Sequence, residues 1–166
     1  MFRFVLVLGL VVLISSGCLA EEPEQVMELE PIVEVEAAPD LCQRAEEAWK
    51  SLEGLPYVFG GSSFASGGFD CSGGIYYVQR YIGRPIPRTT SRKMYFLAGG
   101  AGKHWSDAEC LDWIWWTFTP NRPHGHVGMH LGADKVYQVG SSTGATRITL
   151  THGSYWDRIF ESSKKP

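Results

Sequence analysis

The sequence carries little net charge and lacks the basic excess that nucleic-acid binding requires. Lys and Arg total 15 against 18 Asp and Glu over 166 residues, which gives a formal net charge of −3. Proteins that bind DNA or RNA place a clear excess of cations against the phosphates. We therefore expect no nucleic-acid partner. The sequence also has no internal repeats and only four cysteines.

The apolar run that opens the chain is too short to cross a bilayer comfortably. It spans Phe4–Ile14, eleven residues, with Arg3 before it and Ser15-Ser16-Gly17 after it. This pattern is typical of a secretory signal peptide. Ser15-Ser16-Gly17-Cys18 also resembles the lipobox of bacterial lipoproteins, in which the cysteine is lipidated and becomes the new N-terminus.

We therefore predict a lipoprotein leader over residues 1–18 with Cys18 as the lipidated residue; plain signal cleavage is the alternative. Leu19 follows Cys18, so the aspartate that often retains such proteins in the inner membrane is absent. The expected location is the bacterial cell envelope, on the periplasmic face of a membrane, with the outer membrane favoured.

Basic residues are absent from Leu19 to Gln43, where eight acids occur. Residues 19–39 also contain three prolines and no aromatic residue, which predicts a disordered, acidic tether. The folded domain is then expected over residues 40–166. From Arg44 onward 14 bases face ten acids, a net charge of about +4. This balance suits an anionic substrate, although an ordinary solvated surface explains it equally well.

The pattern of the domain predicts helices in its first half and strands in its second. Asp40 is placed to cap a first helix that ends before Gly54, and a second helix should run from Cys71 to Gly83 after a Gly/Ser-rich loop. A short helix is expected within residues 88–95, and strands within 113–118, 126–131, 135–139 and 146–150. This order indicates an α+β domain with an antiparallel sheet.

Cys71 is the first candidate for chemistry, because it lies where a glycine-rich loop enters a helix. The start of a helix presents unpaired N–H groups and the positive end of the helix dipole, and both favour a thiolate. A thiolate is the nucleophile of cysteine hydrolases. The alternative is a buried or disulfide-bonded cysteine without a catalytic role.

His126 and Gln138 form the second candidate feature. They lie twelve residues apart on two predicted strands joined by a tight turn, so a hairpin can bring them together on one face. A catalytic histidine needs its second ring nitrogen held by a fixed partner, and an amide oxygen can serve. Cys71, His126 and Gln138 are therefore predicted as nucleophile, base and orienting group.

Five segments of the chain together resemble the NlpC-type (new lipoprotein C) cell-wall cysteine peptidases, which have a minimal papain-like fold. The likeness covers about residues 41–160, in the family's order. The segments are Tyr57-Val58-Phe59-Gly60-Gly61, Asp70-Cys71-Ser72-Gly73, Pro87-Arg88-Thr89-Thr90-Ser91, His126-Val127-Gly128-Met129-His130-Leu131-Gly132 and Tyr155-Trp156-Asp157-Arg158-Ile159-Phe160.

The resemblance implies a peptidoglycan endopeptidase that cleaves the stem-peptide amide between γ-D-glutamate and a diamino acid, without a cofactor or a metal. It implies that Cys71 attacks, His126 acts as base and Gln138 orients His126, while Tyr57, Asp70 and Ser72 contact the substrate. The expected partners are wall stem peptides and a membrane, through the lipid anchor, and the protein is expected to be a monomer. The alternatives are a Cys–His N-acetylmuramoyl-L-alanine amidase and a non-catalytic wall-binding lipoprotein.

The sequence departs from the family at three places. Gln138 stands where most members have His, Gly74 replaces a usual large apolar residue, and the Pro-Gly-Asp turn before the His strand is missing. The segment from Leu111 to His124 replaces that turn, which leaves the shape of one cleft wall open.

Three groups of residues allow two interpretations each. A metal site is the less favoured reading of His124, His126 and His130, with packing preferred for His130. Sugar stacking is the less favoured reading of Trp113, Trp115 and Trp116, with strand core preferred. Cys42 and Cys110 are left over and can either pair as a disulfide or stay free.

Overall fold

The structure is a computed structural model that describes residues 40–166. The predicted leader over residues 1–18, the lipidated Cys18 and the tether over residues 19–39 lie outside the described residues and stay predictions. Within the described part, none of the helices has both the length and the apolar character needed to span a membrane.

Residues 40–166 form four α-helices and eight strands. The helices are α1 (Leu41–Lys50), α2 (Cys71–Tyr81), α3 (Ser91–Leu97) and α4 (Tyr155–Arg158). The strands are β1 (Ser62–Ser63), β2 (Gly68–Phe69), β3 (Gly99–Lys103), β4 (Trp113–Trp116), β5 (His126–His130), β6 (Lys135–Gly140), β7 (Gly144–Thr149) and β8 (Phe160–Lys165).

The six long strands form one antiparallel sheet in the order β3-β8-β4-β5-β6-β7, and β1 and β2 form a separate two-stranded ribbon. Each neighbouring pair in the large sheet is antiparallel. The predicted α+β class with an antiparallel sheet is therefore confirmed. The predicted helices and strands that the sequence marked all occur, with bounds that differ by a few residues.

Helix α1 begins where the sequence predicts, because the Asp40 carboxylate accepts a hydrogen bond from the Gln43 backbone N–H at 2.8 Å. Its Ala45, Ala48 and Trp49 are buried against the rest of the domain. Helix α2 contacts α1 on one side and strands β5 and β6 on another, so it lies inside the domain. This position places Cys71, the first residue of α2, beside the Val127 backbone of β5.

Strand β4 is buried on both faces, which explains its continuous run of large apolar residues. Trp113 and Trp115 pack into the main core with α1 and α2, whereas Ile114 and Trp116 pack into a second core on the opposite face. All four side chains are at most 3% exposed. The three tryptophans therefore belong to the core, as preferred, and are not available to stack on a sugar.

Helix α2 approaches its neighbours so closely that Gly74 has no room for a side chain. A Cβ atom at this position would lie 2.7 Å from the Trp49 ring and 3.0 Å from a Val139 methyl group. The glycine that departs from the family pattern is thus explained by packing: the indole of Trp49 occupies the space that a large residue would need.

Cys42 and Cys110 form a disulfide, so the open question about these two residues is resolved in favour of pairing. The bond joins α1 to the segment that precedes β4, across 68 residues of sequence. Cys71 is the free cysteine of residues 40–166.

Candidate active site

Cys71 is the first residue of α2, and its thiol faces the cleft between that helix and the sheet. Asp70 caps the helix by accepting a hydrogen bond from the Gly73 N–H at 2.6 Å. At the first position of a helix a backbone N–H has no partner within the helix. The Cys71 N–H is therefore available to a group that binds beside the sulfur.

The thiol of Cys71 is protonated in the resting site, contrary to the expectation from its place on the helix. Burial raises its pKa to about 11, and the negative charge of Asp70 raises it further, while hydrogen bonds from the Val127 and Ser72 backbone act in the opposite direction. The expected lowering by the helix start is thus outweighed by loss of solvent and by the acidic cap.

His126 and Gln138 are joined by a hydrogen bond, as the hairpin pattern predicts. The distance from His126 Nε2 to Gln138 Oε1 is 2.8 Å, and both side chains are buried. In the register of β5 and β6, Gln138 lies opposite Gly128, so the two side chains meet diagonally across a residue without a side chain. An amide oxygen accepts a hydrogen bond, so Nε2 carries the proton and Nδ1 keeps its lone pair.

The His126 ring is neutral at ordinary pH. Burial lowers its pKa to about 4, although the bond to Gln138 acts in the opposite direction. The rings of Trp116, Phe118 and Trp156 surround it with centroid distances of 5.5, 5.4 and 6.1 Å. A neutral imidazole is the form that can accept a proton.

Two cavities meet at Cys71, and together they form the cleft. The first has a volume of about 660 Å³, and four basic side chains contribute to its wall; we call it the cationic cavity. The second, of about 380 Å³, includes His126 and four other aromatic side chains; we call it the aromatic cavity. Tyr57, Cys71 and Gly125 line both. No direct hydrogen bond joins the Cys71 thiol to the His126 ring among residues 40–166.

The three predicted substrate-contacting residues line the cationic cavity, but two of them are tied into the protein. Asp70 Oδ1 accepts hydrogen bonds from the Gly73 N–H and from the Ser72 hydroxyl at 2.8 Å. Tyr57 is half-buried, and its pKa is raised by burial and by the nearby Cys71 and Asp70, so its hydroxyl stays a neutral donor. Because Asp70 and Ser72 are engaged in these bonds, the Tyr57 hydroxyl is the group most available to a ligand.

Arg88 is a site residue to which the sequence analysis assigned no role. Its guanidinium donates to Asp70 Oδ2 at 2.7 Å and to the Ser72 hydroxyl at 2.9 Å. It therefore holds the Asp70 cap and Ser72 beside Cys71, and offsets the charge of Asp70. Its position in the Pro87–Ser91 segment was the only indication in the sequence. The contacts by which this segment contributes to the site are long-range, and the spacing of residues does not reveal them.

The three histidines considered for a metal do not converge. His130 is buried, and its Nδ1 donates to the Glu109 carbonyl oxygen at 3.2 Å. His124 stacks on Tyr95, with ring centroids 3.5 Å apart, and His126 is bonded to Gln138. Within residues 40–166, no three His, Cys, Asp or Glu side chains are arranged to hold a metal ion.

A family model described as NlpC/P60 family matches residues 54–164. Murein DD-endopeptidase MepH of Escherichia coli is 32% identical over 113 residues, which cover 68% of this chain and 41% of that protein. Gamma-DL-glutamyl hydrolase of Bacillus subtilis is 34% identical over 112 residues, which cover 67% of this chain and 26% of that protein. The chain thus spans less than half the length of these relatives.

Solved structures of NlpC/P60 proteins are similar to this chain in fold. An NLP/P60 family protein similar to lipoproteins, from Staphylococcus aureus, has a TM-score of 0.64 at 26% identity, covering 82% of this chain and 45% of that one. RipD of Mycobacterium tuberculosis, described as a non-catalytic NlpC/p60 domain protein adapted to peptidoglycan binding, has a TM-score of 0.59 at 20% identity, covering 77% and 98%. At 20% identity the likeness to RipD concerns the fold alone.

Proposed function

Because this chain belongs to the NlpC/P60 family, we propose that it is a cysteine peptidase that hydrolyses amide bonds in the stem peptides of peptidoglycan. The family assignment and the papain-like α+β fold agree with the sequence prediction. The observation that carries the proposed activity is the hydrogen bond from His126 Nε2 to Gln138 Oε1, in a cleft that also holds a free thiol. The bond we propose is the one between γ-D-glutamate and a diamino acid.

The first half of the reaction forms a thioester. The Cys71 sulfur attacks the carbonyl carbon of the amide while its proton passes to Nδ1 of His126, the ring nitrogen that Gln138 leaves free. The Cys71 N–H stabilises the negative oxygen of the tetrahedral intermediate. His126 then returns the proton to the leaving amine, the carbon–nitrogen bond breaks, and the acyl group stays on the sulfur.

The second half releases the acid. His126 Nδ1 takes a proton from a water molecule, the resulting hydroxide attacks the thioester carbon, and the carbon–sulfur bond breaks. The proton on His126 then passes to the departing sulfur, which restores the neutral thiol and the neutral ring. Both groups begin and end uncharged, in agreement with the raised pKa of Cys71 and the lowered pKa of His126.

The experiment is to incubate the purified protein with muropeptides and identify the products by mass spectrometry. The proposed endopeptidase releases fragments with a new amino terminus on the diamino acid. An N-acetylmuramoyl-L-alanine amidase would instead free the whole peptide from the sugar, and a non-catalytic wall-binding protein would release nothing. Cys71→Ala should abolish release without loss of the fold, whereas Tyr81→Ala, at the exposed end of α2, should leave it unchanged.

We also propose that residues 1–18 direct export, that Cys18 carries the lipid, and that residues 19–39 link it to the peptidase domain. The support is the lipobox-like sequence and the acidic composition. Cys18→Ser should move the protein from the detergent phase to the aqueous phase without changing its activity in solution. Wild-type protein without lipid would contradict the anchor and leave the peptidase proposal intact.

A further inference from the structure

The cationic cavity holds more positive charge than the proposed chemistry uses. Its basic side chains are Arg88, Arg92, Lys93 and Arg122, and its single acid is Asp70. Arg88 pairs with Asp70 at 2.7 Å. Within residues 40–166, the other three cations have no carboxylate within 4.0 Å. Three positive charges thus line one cavity without a carboxylate partner in that range.

Two lysines outside the cavity do have carboxylate partners. Lys103 and Lys165 both contact Glu109 and Asp112, at distances between 2.6 and 3.4 Å. In the cationic cavity the positive charges of the three remaining cations add to one another across a concave surface, which strengthens their combined field. Such a surface favours an anionic ligand.

The two walls that carry these cations are bonded to each other. Arg92 and Lys93 lie on α3, and Arg122 lies on the loop that replaces the family's Pro-Gly-Asp turn. The Ser91 hydroxyl on α3 donates to the His124 carbonyl oxygen on that loop at 2.8 Å. This bond sets the spacing of the walls, so the cations face one bounded space.

The loop is also fixed to the sheet and to α3 through His124. Its backbone N–H donates to a carboxylate oxygen of Glu161 on β8 at 2.8 Å, and its ring stacks on Tyr95 of α3. Glu161 is thus bonded to the loop backbone at His124, and Arg122 has no carboxylate partner in the part of the chain that the structure describes. The segment that replaces the family's turn therefore contributes a positively charged wall to the cavity.

We propose that the cationic cavity binds a free carboxylate of the substrate, and that this carboxylate is the α-carboxylate of the γ-linked glutamate on the acyl side of the scissile bond. The inference rests on the proposed hydrolase function. In a γ-linked glutamate the α-carboxylate is four bonds from the carbonyl carbon, roughly 5 Å when extended. With the carbonyl carbon at the Cys71 sulfur, that carboxylate reaches the cavity that Cys71 and the cations share.

The consequence is a preference for stem peptides in which this carboxylate is free. Amidation replaces the anion with a neutral group of similar size, so it removes the charge-assisted contacts and little else. We expect kcat/KM to be at least about tenfold higher for the carboxylate peptide than for the α-carboxamide peptide, chiefly through KM. The preference should decrease as salt is added, because the cations are exposed.

The test compares synthetic γ-D-glutamyl–diamino acid peptides that differ only at the glutamate α-position, carboxylate against carboxamide. The variant Arg92→Gln/Lys93→Gln/Arg122→Gln should lose most of the preference and keep its activity on the carboxamide peptide. Arg80→Gln/Arg84→Gln/Lys135→Gln changes the net charge equally away from the cavity and should retain the preference. A third peptide, amidated on the diamino acid instead, tests the carboxylate of the leaving side.

The outcomes separate this inference from the hydrolase proposal. Cleavage without a preference, or a cavity variant that loses activity equally on both peptides, overturns the inference. Discrimination only against the third peptide overturns the assignment to the acyl side. If no peptide is cleaved, calorimetry on the Cys71→Ala protein decides: tighter binding of the carboxylate peptide supports the cavity as a carboxylate site, and equal binding overturns it.

Discussion

At the scale of single residues, burial controls the charge of the proposed base. His126 is 5% exposed, and its pKa falls from 6.5 to about 4 because the ring has lost its water. In the unfolded chain the same ring binds a proton near pH 6.5. Between these values the unfolded state binds more protons, so acidification favours unfolding.

We therefore predict that His126 makes the protein less stable as the pH falls from 7 to 4. The loss attributable to this residue should be about 3 kcal/mol at pH 4, from the difference between the two pKa values. Urea unfolding of wild type and His126→Gln at several pH values measures it. The variant should lack this part of the acid dependence; parallel curves would show that the ring is not held neutral.

The proposed orienting role of Gln138 leads to a second prediction. Gln138→Ala should lower kcat about tenfold to a thousandfold with little change in KM, because it removes the partner that positions His126 but no substrate contact. Gln138→His should keep substantial activity, since an imidazole nitrogen can take the place of the amide oxygen. Steady-state kinetics on a muropeptide gives both parameters. A silent Gln138→Ala would mean that another group orients His126.

The sequence allowed the partners in this site to be predicted but not their ionisation. His126 and Gln138 meet because strand alternation and a short turn restrict where they can lie. The thiol of Cys71 stays neutral because it is buried and because the Asp70 charge is nearby, and both are properties of the assembled cleft. Arg88 was not assigned for the same reason, because its contacts with Asp70 and Ser72 span 18 and 16 residues.

At the scale of elements, the contact between α1 and α2 determines which residues the second helix tolerates. We predict that Gly74→Ala lowers the free energy of unfolding by about 1–2 kcal/mol, because overpacking against Trp49 outweighs the gain in helix propensity. Urea unfolding is the measurement. Gly99→Ala is the control, since nothing lies within 4 Å of the added Cβ there. Higher stability of Gly74→Ala would contradict the close contact.

The elements that the sequence did not indicate are those without a periodic apolar pattern. Strand β3 has the sequence GGAGK and β8 has FESSKK, and neither alternates strongly between apolar and polar residues. Both become strands because β8 pairs with β4, and β3 then pairs with β8. Strands β5, β6 and β7 could be predicted because a turn and a repeated alternation mark each hairpin.

At the scale of the whole molecule, the Cys42–Cys110 disulfide closes a long loop of the chain that includes helix α2. In the chain-entropy view, a loop of 68 residues corresponds to about 4 kcal/mol of stabilisation, because the bond restricts the unfolded chain. We predict a loss of that order for Cys42→Ser/Cys110→Ser in urea unfolding. Reduced wild type should resemble the variant. A difference below about 1 kcal/mol would show that the loop contributes little.

The buried thiol of Cys71 has a consequence for the working lifetime of the molecule. Peroxides attack thiolates far faster than thiols, and they attack exposed sulfur faster than buried sulfur. With Cys42 and Cys110 paired, Cys71 is the thiol of residues 40–166 that an oxidant can consume. Cys71 is 8% exposed and its thiol is protonated, so we expect oxidants to react with it slowly. In the proposed mechanism the sulfur gives up its proton only when it attacks the substrate, so the burial that makes the free thiol unreactive also preserves it between turnovers.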